Sequence, residues 1–263
     1  GGLEKFDGTA LYEVKDPEMA VHPMWGTMLY NYGSPMVKDF LISNAFFWLD
    51  EFHVDGFRLD DVDAMLYLDF GREAGQWTPN IYGSGENLQA LEFIKHLNSI
   101  VKKRNPGVLM IAQEDGLWPQ LTDSVENDHP GFDYKWSGGW TRDLLTYMET
   151  EPVRRHEHYD QMTLSMMYAY SEHYVLTLGK RDVGTTAEFL EKLPGTLKEK
   201  NAQLREAYAY LILHPGIKMT APDSDIQPEL KEYIHDLNEL YRTNPALYAM
   251  DGNSDGFEWI QFT

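Results

Sequence analysis

The chain contains no cysteine, which excludes disulfides, thiolate nucleophiles and Cys-ligated zinc together. No apolar run approaches the ~20 residues that cross a bilayer, so no membrane span is expected. Positive charge is scarce: 22 Lys and Arg stand against 42 Asp and Glu, a net charge of −20 at neutral pH. That balance repels phosphates and argues against a nucleic-acid or anionic-membrane partner. The opening Gly1-Gly2-Leu3 is no signal peptide. With no cysteine to oxidise, a reducing, cytoplasmic location fits. Internal repeats, low-complexity stretches and long linkers are absent as well.

What is present reads as a globular chain. Its 263 residues make one large domain or two small ones. Hydrophobic residues at 43% and charged residues at 24% exclude a wholly disordered chain. Aromatic residues reach 13%, which core packing or stacking on sugar C–H faces would each explain.

Residues 1–35 are rich in Gly, Pro, Tyr and Asp and read as ordered loop. Val37, Phe40, Leu41, Ala45, Trp48 and Leu49 recur at spacings of three and four, predicting an amphipathic helix from Met36 to Phe52. A short strand follows at Val54–Asp60. Leu88, Leu91, Ile94, Leu97, Ile100 and Val101 predict a helix from Glu86 to Lys103, and Val108–Ala112 is a continuous apolar run between breakers, hence a buried strand. Further strands are expected at Phe132–Trp136, Tyr174–Leu178, Gly216–Met219 and Phe257–Phe262. Helices are expected at Thr141–Met148, Leu197–Leu213 and Pro228–Arg242, the last with Leu230, Tyr233, Ile234, Leu237 and Leu240 inward. Strands alternating with helices predict an α/β fold with a parallel sheet.

In such folds, polar residues at the C-terminal ends of strands are the functional positions. Arg58 and Asp60 occupy one such end. A carboxylate beside an arginine stays ionised, as a nucleophile or an electrostatic stabiliser must, although a structural Arg–Asp pair has the same pattern. Asp61 and Asp63 extend the acidic run, which reads as a solvated edge rather than a metal cage. The next strand ends in Gln113-Glu114-Asp115, offering a second carboxylate. Two carboxylates flanking a bond are the usual means of cleaving a glycosidic linkage.

Asp55-Gly56-Phe57-Arg58-Leu59-Asp60, followed by Met65-Leu66-Tyr67-Leu68-Asp69, resembles the strand-4 motif of 1,4-α-glucan (glycogen) branching enzymes of the α-amylase superfamily. Lys5–Tyr12, His22–Thr27, Asn31–Gly33, Trp77–Asn80, Glu86–Leu88, Trp118-Pro119, Phe132–Trp136, His214–Gly216 and Pro245–Asp251 match the same family in the same order. The resemblance implies an incomplete TIM-type (β/α) barrel, about strands 4 to 8, with strands 1 to 3 missing. Residues 1–250 would be the partial barrel and residues 251–263 the start of a C-terminal β domain. Open sheet edges would then favour a homo-oligomer or pairing with a missing N-terminal half-barrel. It also implies transfer of α-1,4 glucan to an α-1,6 bond by double displacement, an α-glucan or oligosaccharide partner, and no cofactor or metal.

The family's site residues carry over unevenly. Asp60 falls at the nucleophile position and Arg58 at its partner. The acid/base position holds Gln113, a neutral amide that cannot transfer the proton. Glu114, one residue on, points to the opposite face of a continuing strand. Where the family places a sugar-distorting His-Asp pair, Lys180 and Arg181 stand, Arg181 at the stabiliser position, with Asp182 after them. Two cations there oppose an oxocarbenium-like transition state. Tyr134, Trp136 and Trp140 are candidate sugar-stacking residues. The reading is a branching-enzyme catalytic domain with impaired turnover. The alternative is a glucan-binding or scaffold descendant, or an engineered barrel fragment.

Overall fold

The computed structural model describes residues 6–116, 118–179, 184–220, 227–258 and 260. The chain divides into two compact units, Gly1–Asp133 and Tyr134–Thr263.

In the first unit, β1 (Gly56–Leu59) and β2 (Leu109–Gln113) pair in parallel, Gly56 with Leu109 through Leu59 with Ala112. A Cβ on residue 56 would collide with the Leu109 carbonyl oxygen, so the first pair of this ladder requires glycine. The Pro35–Phe52 helix precedes β1. It opens on a proline, whose missing N–H costs nothing at a helix start, and stops at His53, which turns left-handed at φ 52°. Val37 and Leu49 face the core, but Phe40 and Trp48, expected inward, are exposed. The Leu88–Arg104 helix connects to β2. Asn87 caps it by accepting from Ala90 N–H at 3.2 Å, and three basic residues fill its last turn, where the helix dipole favours them. Phe93, Ile94, Leu97 and Val101 from this helix pack with Leu66, Met110, Ala112, Leu121 and Phe132 into the unit's core.

In the second unit, β3 (Tyr134–Trp136), β4 (Tyr174–Thr177) and β5 (Ile217–Met219) run parallel, with Lys135 beside Tyr174 and Val175 beside Ile217. The helix expected at Thr141 starts three residues earlier, at Gly138, because Ser137 Oγ accepts from Trp140 N–H at 3.3 Å and sets the first turn. Leu197–Leu213 matches its sequence bounds, fixed by a reciprocal cap between Thr196 and Glu199. The same device starts a further helix at Thr186–Lys192. In the Pro228–Thr243 helix Leu230 and Leu237 are buried, while Leu240 is exposed. The strand expected over Phe257–Phe262 is not formed at Phe257 or Glu258, and Trp259 and residues 261–263 lie outside the described residues.

The core of this second unit is partly polar. Ser165 Oγ lies 2.9 Å from His214 Nε2 and 3.0 Å from the Tyr210 hydroxyl, which donates to Met162 O at 2.6 Å. His214 Nδ1 lies 2.9 Å from the Pro215 carbonyl. That contact needs the proton on Nδ1, leaving Nε2 to accept from serine. Trp140 stacks on Tyr210 with ring centroids 5.7 Å apart and meets His214 edge-on at 5.6 Å. Trp140 is 1% exposed. It is therefore a core residue with no free face for a sugar, which corrects its assignment as a stacking platform.

Candidate active site

One step beyond the last β1–β2 pair, Asp60 and Gln113 stand at the C-terminal ends of neighbouring parallel strands. Arg58 Nε donates to Asp60 Oδ1 at 2.7 Å. Asp60 is the more open partner, with 45% of its side chain accessible against 21% for Arg58. The pair expected from sequence is thus formed, and its carboxylate is reachable from outside.

Gln113 holds the backbone of the next residue. Its Oε1 accepts from the Asp61 N–H at 2.8 Å. Asp61 sits in the left-handed region at φ 51°, ψ 48°. That conformation costs a non-glycine residue about 1 kcal/mol and needs surrounding support. The Gln113 amide therefore serves as a clamp on the turn that follows Asp60. Burial, then the neighbouring Asp60 and Asp115 charges, push the Asp61 carboxyl above its ordinary range. Asp63 behaves likewise, with burial first and Asp61 and Asp115 opposing its ionisation. It is buried at the start of the Val62–Leu66 helix and accepts from Ala64 N–H at 2.9 Å. The acidic run is therefore only partly the solvated edge its sequence suggested. Glu114 is 1% exposed and accepts from Trp118 N–H at 3.4 Å. Among the described residues no group of three or more acids and histidines is placed to hold a metal ion.

Asp60 and Asp61 line a cavity of about 940 Å³ walled by two stretches made mostly of loop, residues 14–32 and 64–89. Single antiparallel bridges, Glu13 with Tyr30 and Val21 with Met28, fold the first loop on itself. The Arg72 guanidinium, from the second loop, donates to the carbonyls of Glu18, Met19 and Val21 at 3.1, 3.3 and 2.8 Å and joins the two. His22 stacks on Trp25 at 3.8 Å, and Phe70 completes the aromatic cluster. His22 Nδ1 accepts from the N–H groups of Met24 and Trp25, so the neutral ring carries its proton on Nε2. Burial and the Arg72 charge hold this imidazole below its ordinary range, with Asp61 and Asp63 pulling the other way.

Sequence reasoning used the His22–Thr27 segment only as a resemblance and missed Arg72 altogether. A cavity made by two converging loops has no periodic signature. Tyr134 and Trp136 are half-buried on β3 of the second unit, Tyr134 with its ring 6.3 Å from His173. Lys180, Arg181 and Asp182 lie outside the described residues.

No protein-family model matches the chain. It is 44% identical over 280 residues to the 1,4-alpha-glucan branching enzyme of Thermobifida fusca, covering 98% of itself and 37% of that protein. It is 43% identical to the branching enzyme of Methylococcus capsulatus over 98% of itself and 38% of the relative. Against the enzyme of Oleidesulfovibrio alaskensis the figures are 41%, 99% and 44%. The chain thus spans less than half the length of these relatives. Among solved structures, the α-amylase of Geobacillus thermoleovorans, complexed with acarbose, aligns with TM-score 0.56 at 16% identity, over 92% of this chain and 54% of that one. Pullulanase from Bacillus acidopullulyticus gives 0.54 at 13% identity, over 85% and 30%. Likeness at such low identity bears on the fold alone, an α/β arrangement with parallel strands. On its sequence, this chain is a homologue of part of the 1,4-alpha-glucan branching enzymes.

Proposed function

We propose that the chain carries the half of a branching-enzyme barrel that runs from strand 4 to strand 8, that its cavity binds α-glucan, and that glycosyl transfer there is impaired. One observation carries this reading. A carboxylate, Asp60, is paired with Arg58 and opens on an aromatic-walled cavity, while the neighbouring strand end presents the Gln113 amide. In a double displacement Asp60 would form the bond to the sugar, and a carboxylic acid would protonate the departing oxygen. Gln113 has no proton to give. Arg181 at the stabiliser position and Lys180 beside it would work against positive charge at the sugar ring. Tyr134 and Trp136 would add stacking surface. Residues 251–263 would begin a further β domain.

Glucan binding is tested by electrophoresis through gels containing glycogen. The chain should be retarded, and Trp25→Ala should weaken retardation about fivefold, the worth of one stacked ring at roughly 1 kcal/mol. Migration unaffected by glycogen, amylose or maltoheptaose would sink the reading.

The half-barrel reading also concerns assembly. Among the described residues β1 pairs with β2 alone, leaving one backbone edge open. Phe47, Trp48 and Phe52 form an exposed aromatic cluster on the helix leading into it. Self-association is the expected result by light scattering at micromolar concentration, and a monodisperse monomer would count against it.

A further inference from the structure

The two halves of a double displacement make different demands on the site, and the structure meets only one of them. Bond formation at the sugar needs a reachable carboxylate. Asp60 supplies it, 45% accessible and paired to Arg58 at 2.7 Å. Departure of a sugar alkoxide needs a proton, and the residue at that position is an amide whose oxygen is committed to the Asp61 N–H. We infer that this site accepts glycosyl donors whose leaving group needs no proton, the glycosyl fluorides being the class, and passes the sugar to small anionic nucleophiles. This inference rests on the glucan-site reading above and narrows its substrate class.

The chemistry balances without an acid or a base. An Asp60 oxygen forms a bond to C1 of the sugar as the C1–F bond breaks, and fluoride leaves with the electron pair. Fluoride is the anion of an acid of carboxylic strength, so no proton moves. The resulting ester persists, because water must be deprotonated to attack it and Gln113 cannot do so. Azide is already anionic. It forms a C1–N bond as the C1–O bond breaks and returns Asp60 to a carboxylate. The cavity of about 940 Å³ beside Asp60 leaves room for a disaccharide donor.

The experiment incubates the whole chain with α-maltosyl fluoride and reads its intact mass and fluoride release. One maltosyl group should appear on the protein, slowly because Lys180 and Arg181 oppose charge at the ring in this step too, and digestion should map it to the peptide holding Asp60, a result that needs no variant. Asp60→Asn should release fluoride at least about a hundredfold more slowly, the usual scale for removing a nucleophile or its proton partner. Azide should clear the adduct and yield maltosyl azide. The rate of adduct formation should be flat between pH 6 and 8, since no acid or base takes part. If glycogen still retards the chain but no adduct forms, the inference is overturned and the glucan-site reading stands. If neither occurs, both fall. An adduct mapping elsewhere overturns the inference. So does cleavage of maltoheptaose at a rate matching the fluoride, because Asp61 or Glu114 would then be delivering the proton.

Discussion

Incubated with amylose, the chain should form no detectable α-1,6 branches, read by loss of iodine complex or by chromatography after debranching. General acid–base catalysis contributes about 10²–10⁴-fold, and preorganised electrostatic stabilisation commonly adds a similar factor. On the proposed reading, Gln113 at the acid/base position removes the first, and Lys180 and Arg181 would stand where the family has its sugar-distorting pair. Gln113→Glu should restore little. A glutamate there can still accept from the Asp61 N–H as Gln113 does, so the turn survives, but the cationic pair is untouched. Clear branching by a preparation free of host enzyme would overturn the impaired-transfer reading and point to Asp61 or Glu114.

Acid should destabilise the second unit through His214. Burial, the largest cause, and the nearby Lys218 charge hold its imidazole at about 4, against the ordinary 6.5, with the Pro215 contact and Asp251 opposing. Between those values the unfolded chain binds a proton that the folded chain refuses. Stability attributable to this ring is therefore complete above pH 6.5 and lost as pH falls towards 4, in all about 3 kcal/mol. Asp61, Asp63 and Asp143 have raised carboxyls and give the opposite slope, so the comparison must be differential. Urea melts of the parent and of His214→Gln at pH 7 and pH 4 should differ in their acid-induced loss by that amount. Equal losses in the two proteins would show that His214 does not carry the effect.

Much of this fold was legible in the sequence because local chemistry and burial agree. Leu197–Leu213 is bounded by a Thr-x-x-Glu cap and a His-Pro pair, and the structure places both ends where those residues stand. The Thr186–Lys192 helix carries the same cap at Thr185 and Glu188 but is only two turns long, too short for a periodic stripe to show. Val62–Leu66 is shorter still. Apolar spacing misassigned Phe40, Trp48 and Leu240, since periodicity gives the face of a helix and not how much of it is covered. At the site, Arg58 and Asp60 were legible because they lie two residues apart on one strand. The Gln113 clamp and the Arg72 fork were not, since each joins residues about fifty positions apart. Trp140 illustrates the same limit: aromatic identity does not distinguish a sugar platform from a core ring that happens to stack on Tyr210.

The Arg72 fork has a consequence for the energetics of any ligand entering the cavity. One planar guanidinium closes a chain segment of some fifty residues onto three carbonyls of a single short stretch. The helix and strand inside that segment are already packed into the first unit, so the fork has only the two loops left to hold, and folding has set them before a ligand arrives. The first wall is thus preorganised, and binding need not order it again. A lysine at position 72 would present one point charge where the fork presents several fixed donors. The wall would then open as a small local unit while the core of the first unit stayed closed, and affinity would fall without the loss of a single ligand contact.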